Sequence, residues 1–100
     1  MNELEELIAL LGQDADENIQ ADAAEMLGEI GGVRAVKALL AALNDPSGVV
    51  CVSVILSLGE LRAAEALEPL LVVLSDGAEN ERGAAAVALG RSGTGGPSRR

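Results

Sequence analysis

Residues 45–61 read Asp45-Pro46-Ser47-Gly48-Val49-Val50-Cys51-Val52-Ser53-Val54-Ile55-Leu56-Ser57-Leu58-Gly59-Glu60-Leu61, and two marks of this stretch return 31 residues to either side. Its leading aspartate recurs as Asp14 and Asp76, and its closing Leu58-Gly59-Glu60 recurs as Leu27-Gly28-Glu29 and Leu89-Gly90-Arg91. A fixed period of this length is the signature of a stacked repeat, whose single unit cannot bury its own apolar face and leans on its neighbours. Stacking leaves a long outer surface, so the expected role is binding.

Around that stretch the apolar residues recur at helical spacing. Leu4, Leu7, Ile8 and Leu11 share one face ahead of Gly12, and Ile19, Ala23, Ala24, Leu27 and Ile30 share another between Asp16 and the breaker Gly31-Gly32. A third helix is expected over 33–44 with Val36, Leu39, Leu40 and Leu43 inward. The fourth spans 47 to about 61, where Asp45-Pro46-Ser47 supplies a turn and an N-cap. The last pair is expected over 64–75 and 78 to about 92, with Pro69 bending the first by removing a hydrogen bond. The chain thus divides into one domain over residues 1–93, with repeats of about 1–31, 32–62 and 63–93. Residues 94–100 hold nothing to bury and are expected to form a disordered tail.

Composition narrows the functional classes. At 100 residues the chain supports one modest core, which must be built from aliphatic side chains because Phe, Trp and Tyr are absent while apolar residues reach 49%. Of 16 acidic residues, Glu3, Glu5, Glu6, Asp14, Asp16, Glu17, Asp22, Glu25 and Glu29 fall in the first repeat, which has no Lys or Arg. A net charge of −9 argues against nucleic acid and anionic lipid and in favour of a basic partner. The acidic start is unlike a signal peptide, no apolar run reaches membrane-spanning length, and Cys51 has no second cysteine to pair with. A cytoplasmic setting is expected.

The segment from Asp45 to Val50, with Leu58-Gly59-Glu60-Leu61, Ala66, Leu70-Leu71, Leu74 and Asp76, resembles a HEAT-like repeat of the short type found in phycobilin lyase subunits. Arg34-Ala35-Val36, Leu39-Leu40 and Leu43-Asn44-Asp45 fit the same frame, as does Glu81-Arg82-Gly83-Ala84-Ala85-Ala86-Val87-Ala88-Leu89-Gly90. The resemblance covers residues 3–93 and implies an all-α, right-handed solenoid of three repeats and six helices. In it the helix carrying Leu-Leu is the outer one, and the helix ending in Leu-Gly lines the concave face. Leu7, Ile8 and Leu11 match Leu39, Leu40 and Leu43 once one residue is inserted before Asp14. In the family an arginine after valine pairs with the repeated aspartate. Here only Arg82 matches, with Gln20 and Cys51 at the other two positions, so the ladder of ion pairs is expected to be mostly missing. Glu81 stands where that valine belongs, which weakens the expected start of the last helix.

Catalytic chemistry finds little footing. Without His there is no nucleophile and base pair of the Ser/His or Cys/His kind, and no soft-metal site; no cofactor and no enzymatic activity are expected. Glu25 and Glu29, four apart on one helix, read as a solvated face rather than a hydrolytic pair. Gly31-Gly32 and Gly95-Gly96 lack the strand and lysine of a phosphate loop, and Cys51, among apolar neighbours, reads as a quiet thiol.

The concave-face positions implied by the resemblance are Glu17, Asn18, Ala21, Asp22, Glu25 and Glu29 in the first row. Gly48, Val49, Val52, Ser53, Leu56 and Glu60 form the second, and Glu79, Asn80, Gly83, Ala84, Val87 and Arg91 the third. An acidic end (Glu17, Asp22, Glu25, Glu29) passes into an apolar centre (Val49, Val52, Leu56) and then into a small-residue floor ending at Arg91, with Glu60 and Val87 also among the expected partner-binding residues. The expected function is a protein-protein interaction scaffold that takes a helix or extended segment into this face, apolar anchors inward and basic flanks outward. Two alternatives stand beside it: a subunit or chaperone-like component of a bilin lyase-type complex, and a module excised from a longer solenoid. No aromatic or histidine side chain is present to hold a tetrapyrrole. Glu3, Glu5 and Glu6 are expected to cap the N-terminal end, while the Ala-rich last helix suggests a homodimer through the C-terminal end.

Overall fold

A computed structural model describes residues 3–12, 16–43 and 47–91. α1 (Glu3–Gly12) and α2 (Glu17–Ile30) form the first helix pair, α3 (Val33–Ala42) and α4 (Gly48–Leu61) the second, and α5 (Leu67–Asp76) and α6 (Glu79–Arg91) the third. No strand occurs among the described residues, and the architecture is an all-α stack of helix pairs. The 94–100 tail and the repeated Asp14 and Asp45 lie outside the described residues.

Local chemistry sets most of the boundaries. The Asp16 carboxylate accepts the Asn18 N–H at 2.8 Å, and the Ser47 hydroxyl accepts the Val50 N–H at 3.4 Å, each meeting a donor that the first turn leaves unpaired. Gly31 and Gly32, at φ of 73° and 92°, end α2 and turn the chain into α3, a conformation that costs a residue without Cβ nothing. At the corresponding end of α4 the left-handed position falls to Arg62, at φ 53°.

The third pair departs from expectation. Instead of one bent helix over 64–75 there is a 3-10 turn, Ala64–Ala66, running into α5 with Pro69 as the third residue of that helix. Proline has no N–H to give to a preceding carbonyl, and in the first helical turn none is required, so the irregularity precedes Pro69 rather than bending a helix around it. The start of α6 also forms despite Glu81 and Gly83: the Arg82 N–H donates to the Ala78 carbonyl at 2.8 Å.

Packing follows the repeat. α4 lies between α2 and α6 and packs on both, α1 rests on α2 and α3, and α5 rests on α6. One aliphatic core runs from Leu7 and Leu11 through Leu27, Leu39, Ile55 and Leu58 to Ala85 and Leu89. With no aromatic ring to fill space, the helices approach through small residues. A Cβ at Gly28 would stand 2.8 Å from the Ser57 Cβ, and one at Gly59 would stand 2.6 Å from the Ala88 Cα and Cβ. The glycines of the first two Leu-Gly marks, Gly28 and Gly59, are therefore where one repeat crosses the next. Ser57 adds a hydrogen bond at its crossing, its hydroxyl donating to the Ala24 carbonyl at 2.9 Å.

Where the resemblance calls for arginine, Gln20 and Cys51 face inward and serve the backbone. The Gln20 amide donates to the Leu11 carbonyl at 3.2 Å and the Cys51 thiol to the Leu43 carbonyl at 3.5 Å. Leu11 and Leu43 become equivalent through the one-residue insertion before Asp14, so both repeats use the same contact. Each reaches a carbonyl near the end of the pair's first helix, where intrahelical donors run out.

Candidate protein-binding groove

Across the row formed by α2, α4 and α6 runs an open groove of about 1050 Å³. Its apolar surface comes from Val49, Val52 and Leu56 of α4 and Val87 of α6, with Glu17 of α2 and Glu79 of α6 at its edges. The spacing explains the grouping: residues 49, 52 and 56 recur at helical intervals on one face, and Val87 repeats Leu56 after 31 residues. Val49 and Val87 are 48% and 50% exposed, and with Val52 and Leu56 they line one surface together rather than standing as scattered single residues. Val52 and Leu56 depart from the fully open surface expected of them: both are half-buried and pack against the core.

Beside the groove, a smaller cleft of about 210 Å³ is lined by Glu25, Glu29 and Glu60 with Ser53, Leu56 and Ser57. Leu56 belongs to both, so apolar floor and carboxylate rim are continuous. Among the described residues no Lys or Arg lines either. The end of the groove at α2 is fixed by the Ser47 hydroxyl, which donates to the Glu17 carboxylate at 2.6 Å while accepting from Val50, tying the first repeat to the second.

Most residues expected at the site are thus brought together: Glu17, Val49, Val52, Leu56 and Val87 in the groove, and Glu25, Glu29 and Glu60 in the cleft. Asp22 is exposed on α2 but lines neither, and the Arg91 side chain lies outside the described residues. Ala21, assigned to the same face by resemblance, is 8% exposed and belongs to the interior. Ser47 and Ser57 are the lining residues that sequence reading missed. Ser47 was legible only as an N-cap, and Ser57 carries no signal apart from its place in the repeat.

A family model for HEAT repeats matches residues 3–51 and, again, residues 37–98. This chain belongs to the HEAT repeat family. Comparison with curated proteins finds no match. HEAT repeats generally mediate protein-protein interaction, which suits a chain whose helix pairs expose an apolar groove. Among the described residues no group of three or more His, Cys, Asp or Glu could hold a metal ion, and no helix is long and apolar enough to cross a membrane.

Proposed function

We propose that this HEAT-repeat chain binds a segment of another protein, helical or extended, in the groove across α2, α4 and α6. The observation that carries the reading is the continuity of an apolar strip, open at Val49 and Val87 and half-buried at Val52 and Leu56, with five carboxylates and no basic side chain on the described lining. Apolar anchors of the bound segment lie on Val49, Val52, Leu56 and Val87 and supply most of the affinity. Lys or Arg beside the anchors faces Glu17 and Glu79 on one side and Glu25, Glu29 and Glu60 on the other, which selects the partner and speeds encounter. The strip is short and shallow, so a single amphipathic helix or strand is the right size of occupant.

The test uses two labelled synthetic peptides with the same leucine spacing, one flanked by arginines and the other by glutamates. Fluorescence anisotropy is expected to show the arginine peptide binding at least about tenfold more tightly, a difference of about 1.4 kcal/mol. Equal binding of the two, or unchanged binding to a Val49→Asp, Val87→Asp double variant, overturns the reading.

A further inference from the structure

The series of crossings between repeats reaches a third glycine that no described residue meets. Gly28 receives Ser57 and Gly59 receives Ala88, yet a Cβ at Gly90, the next member, finds no described atom within 4 Å. Ala86 is exposed on the same face, although its equivalents Ala24 and Ile55 are fully buried under the following repeat. At the other end of the molecule the mismatch is reversed. Ile19, Met26 and Ile30 of α2 are 47%, 44% and 46% exposed. One period later, Val50 is fully buried, Ser57 sits on Gly28, and Leu61 lies 3.2 Å from where a Gly31 Cβ would be. These are the residues with which a repeat docks onto the one before it. The N-terminal face is therefore not closed by Glu3, Glu5 and Glu6 as expected: those acids are exposed on α1, and α2 beside it shows an apolar docking face.

We infer that a second copy of this chain docks head to tail, with Ile19, Met26 and Ile30 of one copy seated on Ala86 and Gly90 of the other. Two properties of the two faces select this occupant. They are the unmet halves of the interface already present twice inside the chain, in the same register. Their sizes are complementary, with large side chains on one and small ones on the other. A two-fold contact instead opposes like with like at either end. Because the head-to-tail contact joins two different surfaces, assembly is open-ended and grows with concentration. Docking also prolongs the groove, because the row Glu25, Leu56, Val87 continues into Glu25 of the next copy.

Sedimentation of the full chain tests this without any peptide, so its outcome is separate from that of the groove reading. From micromolar to near-millimolar concentration the wild-type chain is expected to pass from monomer to dimers and longer species. Gly90→Leu fills the receiving face and Met26→Lys spoils the docking face, both at positions open to solvent in the single chain, and each variant alone is expected to stay monomeric. Their equimolar mixture is expected to give one species of two chains, because each variant retains the half that the other has lost. If Gly90→Leu fails to fold, Ala86→Glu blocks the same face from an exposed position. A wild-type chain that stays monomeric throughout overturns the inference, and so does a dimer of either variant alone.

Discussion

Gly59 of α4 and Ala88 of α6 meet so closely that a Cβ on the glycine would stand 2.6 Å from both the Cα and the Cβ of the alanine. Backbone rather than a side-chain tip is in the way, so relief requires the helices to part. Gly59→Ala is expected to destabilise the fold by about 2 kcal/mol, the overpacking cost outweighing the gain in helix propensity. Gly28→Ala presses on the Ser57 side chain and its bond to Ala24, with an expected cost of about 1 kcal/mol. Gly90→Ala meets open space and is expected to stabilise by about 0.5–1 kcal/mol. Urea unfolding at low micromolar concentration measures all three, and the order Gly59, Gly28, Gly90 is the prediction. Equal effects at the three glycines would show that the crossings are not where the repeats touch.

Cys51 is 5% exposed and its thiol donates to the Leu43 carbonyl, so reagents reach it only when the second repeat opens. Labelling by a disulfide reagent is expected to be slower than in denaturant by on the order of a thousandfold or more, tracking the opening equilibrium. Labelling at the unfolded rate in native buffer would place the thiol at the surface.

The repeat was legible because each interface demands the same crossing residues: the Leu-Gly mark recurs on three helices, and at Gly28 and Gly59 it is the imprint of that demand. Helix ends marked by Asp16, Ser47 and Gly31-Gly32 were legible for the same reason: each residue type answers a backbone requirement that arises at one place. Pro69 misled because its effect depends on whether the helix has already started, which periodicity does not fix to within a turn. The groove was legible as a face, through the helical spacing of Val49, Val52 and Leu56, but the depth of each side chain was not. Burial of Val52 and Leu56 depends on how far α2 and α6 flank α4, a tertiary quantity. The open N-terminal face was hidden because Ile19 and Ile30 read as core when the chain is scanned for apolar spacing alone, and Met26 fell outside that pattern.

Arg62 holds the left-handed position that closes α4, with φ at 53° and its N–H donating to the Gly59 carbonyl at 3.1 Å. Its equivalent one period earlier is Gly31, which occupies a positive φ without penalty. Arg62→Gly is expected to stabilise the chain by about 1 kcal/mol, raising the thermal midpoint by about 4–8 °C, because a side chain in this conformation costs about 1–2 kcal/mol. Arg62→Ala retains the Cβ and is expected to give no such gain. A fall in midpoint for the glycine variant would mean that the arginine side chain does more for the helix end than its backbone costs.

The groove makes a double prediction, because its apolar and charged parts act on different quantities. Val49 and Val87 stand half exposed, so Val49→Asp and Val87→Asp are expected to change stability by no more than about 0.5 kcal/mol while weakening the arginine-flanked peptide tenfold or more. Leu56→Asp is a poorer probe: Leu56 packs on the core as well as lining the groove, so the variant loses stability and binding together. Carboxylates at the rim act through solvent, where charges are screened over about 10 Å at 0.1 M salt. Raising the salt from low ionic strength to 0.5 M is expected to slow association and leave dissociation nearly unchanged, since steering acts on encounter. Stopped-flow mixing at several salt concentrations separates the two rates. An association rate that is flat in salt removes Glu17, Glu25, Glu29, Glu60 and Glu79 from the recognition mechanism, and tight binding by Val49→Asp removes the apolar strip.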